Sequence, residues 1–174
     1  GHSGKALEYF KKSLKIKEEI GNKRGMISSL GNIGRTYQQK GDFTLAIEFY
    51  NRRLKVSKDE GDKRNVSYSL MKIATIFRDQ GNYDLALEYI NKSMRIKKEI
   101  GGKYELGSYY LAIGNIYIEK GKSEVALEYY KKCLKIYEES GDKRGIAVIW
   151  NNIGSVFNDQ GEYDKALYYL TRSL

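Results

Sequence analysis

Glycine falls at positions 1, 21, 41, 61, 81, 101, 121, 141 and 161, one every twenty residues through a chain of 174. No other feature restricts the fold as strongly, because spacing this regular demands one structural unit repeated along the chain. The contexts alternate, so the true period is forty. After one set of glycines stand "DFTLAIEFY", "NYDLALEYI", "KSEVALEYY" and "EYDKALYYL", beginning at 42, 82, 122 and 162. After the other set stand "NKRGMISSLGNIGRTY", "DKRNVSYSLMKIATIF", "GKYELGSYYLAIGNIY" and "DKRGIAVIWNNIGSVF".

Between glycines the apolar residues keep helical spacing. Leu30, Ile33 and Tyr37, then Leu70, Ile73 and Phe77, follow i, i+3, i+7, and Ala46, Ile47, Tyr50 and Leu54 do the same in the next segment. Asn22, Asp62 and Asp142 directly follow one glycine set and suit helix N-caps. Each segment predicts a helix of about 16 residues, roughly 24 Å long at 1.5 Å per residue. The chain is expected to be all-α with nine helices: a lone helix over 1–20, then pairs over 21–60, 61–100, 101–140 and 141–174. No linker interrupts them, so 1–174 is expected to be a single domain.

The stretch "FNDQGEYDKA" at 157–166 has the oxygen-rich look of a calcium loop. Its counterparts "YQQKGDFTLA", "FRDQGNYDLA" and "YIEKGKSEVA" keep the glycine and the alanine but not the acids. A turn needs only a residue that tolerates positive φ, so the stretch is expected to be a helix–helix corner.

Small residues recur where helices must approach. Gly34, Ala74, Gly114 and Gly154 mark the first helix of each pair, and Ala6, Ala46, Ala86, Ala126 and Ala166 the second. Glycine inside a helix costs about 1 kcal/mol against alanine, so three in one register imply tight backbone packing. Cys133 shares its register with Ser13, Arg53, Ser93 and Ser173 and is expected to be a packed mid-helix residue, not a reactive thiol.

Composition removes several functions. The longest apolar run, Ile146–Trp150, is far short of the roughly 18 residues a membrane helix needs, so no membrane association is expected. No export segment opens the sequence, and one cysteine forms no internal disulfide; together these favour a reducing, cytoplasmic setting. With His2 the only histidine, zinc sites and His-activated nucleophiles are hard to build. "GNIGRTYQQKG" holds glycines and a lysine, but not at phosphate-loop spacing. No catalytic residue, metal or cofactor is expected.

At these registers the sequence resembles the tetratricopeptide repeat. The pattern runs Trp150, Ile153-Gly154, Phe157, Gly161-x-Tyr163 and Ala166, with Leu170 where an aromatic is usual. Two departures are the period of forty where thirty-four is usual, and the missing closing proline. Both are shared with a longer-helix variety, similar to the Leu-Gly-Asn repeat adaptors and to repeats in bacterial sensor regions. The resemblance implies a right-handed superhelical solenoid of antiparallel helix pairs, a non-catalytic scaffold that serves as the regulatory or sensory part of a larger signalling protein. It places a peptide or protein partner in a concave groove lined by the first helices. Carried onto this sequence, that groove is Arg35 and Gln38, then Tyr68, Met71, Thr75 and Arg78, then Leu111, Asn115 and Ile118, then Asn151, Ser155 and Asn158. Asn115 stands at the Leu-Gly-Asn position, where the family's asparagines hold a bound peptide's backbone; Arg35, Thr75 and Ser155 replace it in the other copies.

Charge is uneven. Residues 1–100 hold 21 Lys or Arg against 12 Asp or Glu, whereas the rest holds 10 of each. Arg35 and Arg78 bring positive charge to the expected groove, and Glu119 and Asp159 bring negative charge. The partner expected is an acidic segment with a hydrophobic anchor drawn to Met71, Tyr68, Leu111 and Ile118. RNA binding is the alternative, on a pI near 9.4 and 16 tyrosines, but most of these tyrosines occupy core registers. The series opens on a second helix and closes within one, so the chain is expected to be a fragment of a longer array whose open ends favour head-to-tail self-association.

Overall fold

The computed structural model describes residues 2–102 and 104–173. Gly1, the first member of the glycine series, and Leu174, at the end of the last predicted pair, lie outside them. Among the described residues there are nine helices and no strand: α1 (His2–Glu19), α2 (Lys23–Gln39), α3 (Phe43–Asp59), α4 (Lys63–Asp79), α5 (Tyr83–Glu99), α6 (Leu106–Glu119), α7 (Ser123–Ser140), α8 (Lys143–Asp159) and α9 (Tyr163–Arg172).

The corners follow from the glycines. Gly21, Gly41, Gly61, Gly81, Gly101, Gly121, Gly141 and Gly161 all have φ between 65° and 80°, and among the described residues no other residue type has positive φ. At Gly41 the chain folds back on the helix it leaves: Gly41 N donates to Gln38 O at 3.0 Å and Asp42 N to Tyr37 O at 3.0 Å. A Cβ on Gly41 would meet nothing within 4 Å, so glycine is required there for its backbone alone. The predicted caps form, with Asn22, Asp62 and Asp142 accepting from the amides of Gly25, Asn65 and Gly145. Asp42 caps α3 in the same way, at 3.2 Å from Leu45 N. Gly161 confirms the corner reading of 157–166.

One corner departs from the expected uniform length. Gly102 stands where other copies carry Asn or Asp, so no side chain can cap the next helix. The chain makes an extra turn, α6 begins only at Leu106, and it is 14 residues long where α2, α4 and α8 have 17.

The chain divides into two compact units, Gly1–Ile96 and Lys97–Leu174. In the first, Leu30, Ile33, Ala46, Tyr50, Ile73 and Ile76 form the centre of the core. In the second, Ala126, Tyr130, Cys133, Ile149, Ile153 and Val156 do so. On α2 and α6 a glycine accepts a ring from the next helix: a Cβ on Gly34 would stand 3.1 Å from the Tyr50 ring, and one on Gly114 only 2.5 Å from Tyr130. The four described alanines of the second-helix series from Ala46 to Ala166 are buried.

The Cys133 register has a shared task. Ser93 Oγ donates to Ser67 O at 2.7 Å and Cys133 Sγ to Gly107 O at 3.0 Å, each bonding a carbonyl of the preceding first helix. Arg53 makes the same bond from Nε to Ile27 O at 3.1 Å, although it is far larger than the serine or cysteine of the other copies. Cys133 is fully buried and burial pushes its thiol up to about 11, which suits packing and not nucleophilic chemistry.

Candidate docking faces

In the first unit α2 and α4 carry the expected groove residues, and α3 packs behind both. Arg35 is exposed, and its Nη2 lies 3.5 Å from the hydroxyl of Tyr68, a ring 37% exposed. Gln38 is half-buried and accepts from Tyr50 OH at 3.3 Å. Met71 is half-buried; Thr75 spends its hydroxyl on the carbonyl of Met71 at 3.0 Å, one turn back in the same helix. Arg78 pairs with Asp79 at 2.7 Å, which offsets its charge on this face.

Two residues outside the predicted set shape the face. Arg53, only 7% exposed, threads from α3 between α2 and α4. Besides Ile27 O it donates to Ser69 Oγ at 3.2 Å and to Asn65 Oδ1, and its guanidinium carbon sits 4.4 Å from the centroid of the Tyr68 ring. Gly31 makes room for it, since a Cβ there would come within 3.1 Å of Arg53 Nε. Lys72 lies over the same ring, with Nζ 5.3 Å from the centroid. The only sequence signal was a long residue in a register otherwise held by serine and cysteine, with glycine where other copies carry Met71, Leu111 and Asn151.

In the second unit a cleft of about 280 Å³ opens between α6 and α8 over the ring of Tyr130. Asn115, Ile118 and Glu119 line it from α6, and Asn152, Ser155, Val156 and Asp159 from α8. Three predicted residues, Asn115, Ile118 and Ser155, are therefore brought together, while Leu111, Asn151 and Asn158 are not among its walls. Asn115 Oδ1 accepts from Tyr130 OH at 2.8 Å, which leaves its amide nitrogen for the cleft. Ser155 bonds Asn151 O at 3.0 Å, so its hydrogen is spent as that of Thr75 is. Asn152 sits three residues before the Leu-Gly-Asn position, and only the placement of α8 beside α6 brings it to the same cleft.

Tyr50 and Tyr130, the floors of the two faces, are both pushed up to about 12, chiefly by burial. Glu119 adds to the rise at Tyr130, whereas Arg35 and Arg53 oppose it at Tyr50. Both stay protonated donors throughout the ordinary pH range. Among the described residues no group of three or more His, Cys, Asp or Glu is placed to hold a metal ion, and no helix is long and apolar enough to cross a membrane.

Helix pairs joined by αL corners, with second-helix side chains bracing successive first helices, define an α-helical repeat protein. The tetratricopeptide repeat model matches residues 3–59, 65–139 and 108–174, and the chain belongs to that family. No curated protein matches the sequence. Among solved structures, the apo form of RapI superposes with a TM-score of 0.87 at 20% identity, covering 99% of this chain and 48% of its own. BtubC (BKLC) from P. vanneervenii gives 0.84 at 17%, over 99% of this chain and 72% of its own. The kinesin light chain repeats of Podosopora anserina give 0.76 at 14%, over 99% and 86%. At these identities the likeness is one of fold.

Proposed function

We propose that this chain is a non-catalytic docking scaffold that takes a protein or peptide segment on its first-helix faces, as the sensory or regulatory part of a larger signalling protein. The observation that carries this reading is the α6–α8 cleft. It combines apolar wall, from Ile118 and Val156, with amides of Asn115 and Asn152 beside it. That is the mixture a bound segment needs: a place to bury an apolar side chain, and donors or acceptors for its backbone. Repeat family membership supports the same reading, because stacked repeats present extended surfaces rather than a single enclosed pocket.

RNA binding is the second reading, on the basic excess of the first hundred residues. Several of those cations are matched locally: Lys23 with Glu60, Arg52 with Glu18, Arg78 with Asp79 and Lys92 with Glu88. This favours a protein partner over a phosphate track.

A peptide-display selection on the wild-type chain, rescreened on Met71→Ser/Ile118→Ser, with one change on each face, tests the proposal. Both residues are half-buried, and helicity is checked first. Peptides that bind the wild type and fail on the variant are expected. Equal binding to both would move docking off these faces, and salt-sensitive oligonucleotide binding in place of peptide binding would transfer the function to RNA.

A further inference from the structure

We infer that the α2–α4 face carries an anion seat centred on Tyr68, where Arg35 and Lys72, backed by the charge of Arg53 beneath the ring, receive a carboxylate from an acidic side chain of the docked segment. This rests on the docking reading above and gives it a chemistry.

Arg53 is the starting point. A buried cation is costly unless it is paired, and arginine does not escape by losing its proton. Yet every group its guanidinium touches is uncharged: the Ile27 carbonyl, the Ser69 hydroxyl, the Asn65 amide oxygen and the Tyr68 ring. Asp62 is linked to it by hydrogen bonds only through Asn65, whose Nδ2 donates to Asp62 Oδ2 at 2.7 Å, and its charge offsets that of Arg53 in part from this distance. That carboxylate is already committed, because Asp62 also caps α4 through Asn65 N at 3.0 Å. Burial accordingly lowers the Arg53 pKa in spite of these contacts.

Two more cations converge on the same ring. Arg35 has the Tyr68 hydroxyl as its partner, at the long distance of 3.5 Å, and Lys72 has the ring itself. Neither forms an ion pair among the described residues, and Asp79 on this face is occupied by Arg78. Three positive groups around one partly exposed tyrosine, with no carboxylate bound, leave a local charge for a ligand to neutralise. The Tyr68 hydroxyl adds a hydrogen-bond donor, and Arg35 offers the planar fork that matches a carboxylate.

A peptide carboxylate fits better than a nucleic-acid backbone. Phosphates recur along a strand, so a strand-binding face repeats its cations. Here the pattern occurs once: eighty residues on, Arg35, Arg53, Tyr68 and Lys72 become Asn115, Cys133, Val148 and Asn152. Met71, half-buried on the same helix as Tyr68, supplies apolar surface for a residue next to the acidic one.

The test repeats the peptide-display selection on the full chain and on Arg35→Gln/Lys72→Gln, which alters side chains that are not buried. The expected result is Asp or Glu enriched among wild-type binders, lost on the variant while the apolar preference persists. In the strongest binder, Glu→Gln should weaken binding about tenfold on the wild type and less than about twofold on the variant. Binders without acidic enrichment, or enrichment unchanged on the variant, would overturn the seat and leave docking intact. A selection that yields no binders on either protein would overturn docking and the seat with it. Displacement of the acidic peptide by a decamer of uridylate at equal concentration would also overturn it, in favour of nucleic acid.

Discussion

Helices α2–α4 and α6–α8 are the same arrangement eighty residues apart, yet their faces have opposite character. In the first, Arg35, Arg53 and Lys72 gather at Tyr68. In the second, Asn115 and Asn152 stand at the positions of Arg35 and Lys72, and Glu119 and Asp159 line a cleft. The shared parts are the corners, the tyrosine floors and the bond from the second helix to a first-helix carbonyl. The repeat thus keeps its backbone contacts fixed while the side chains above them vary. Gly31 with Arg53 and Leu111 with Cys133 show how: each pair combines one large and one small residue, so the space is filled either way.

The largest effect should come from exchanging halves of those pairs. Cys133→Arg places a guanidinium beside Gly145 and Ile149, where Arg53 has Asn65 and Ser69, and it meets Leu111 where Arg53 meets Gly31. An uncompensated buried charge costs about 4 kcal/mol, which urea denaturation should report as a lower midpoint. Adding Leu111→Gly should leave the double variant more stable than the sum of the two single losses by about 1 kcal/mol or more. Simple additivity would show that large–small pairing is not what separates the two faces.

A smaller contrast is expected at the glycines beneath the floors. Gly114→Ala drives a methyl to 2.5 Å from the Tyr130 ring, and overpacking of this kind costs about 2 kcal/mol. Gly34→Ala reaches only 3.1 Å from Tyr50, and the gain in helix propensity of about 1 kcal/mol should offset much of the crowding. Equal midpoint shifts would mean the two rings are equally free to move aside.

The smallest difference should appear in alkaline titration. Tyr50 and Tyr130 are both raised from 10 to about 12. Their neutral forms favour the folded state, so this contribution is intact below about pH 10 and is lost as pH rises through about 12. Tyr50→Phe and Tyr130→Phe should each flatten the decline in stability over that window. Absorbance of tyrosinate should show these two rings ionising late, together with Tyr137, which burial also raises to about 12. Arg35→Gln should shift the Tyr50 titration upward and leave Tyr130 in place; movement of both would refute separate electrostatic settings.

Much of this architecture was legible without coordinates. Eight described glycines at fixed spacing, Asp62 and Asp142 after two of them, and alanine at 46, 86, 126 and 166 defined corners, caps and contact points, because each depends on φ, on one local hydrogen bond or on side-chain size. Gly102 marks the one first-helix corner without Asn or Asp, and α6 starts late at Leu106, although α7 and α9 start in register without a side-chain cap. The docking faces were less legible. The stripe of Arg35, Tyr68, Asn115 and Ser155 followed from helical phase and the family pattern, but phase says nothing about which groups are already spent. Thr75 and Ser155 use their hydroxyl hydrogens within their own helices, and Arg78 is offset by Asp79.

The sequence by itself determined a forty-residue helical repeat, its corners and its core registers, because those follow from local backbone preference and periodic hydrophobicity. Only the tertiary structure decided that Arg53 runs beneath Tyr68 in the space Gly31 leaves, that Lys72 joins it, and that Asn152 meets Asn115 in a cleft over Tyr130. Apart from Lys72, one helical turn from Tyr68 on α4, those neighbours lie on different helices, 15 to 37 residues apart, and the geometry of packed side chains brings them together where no periodicity marks them.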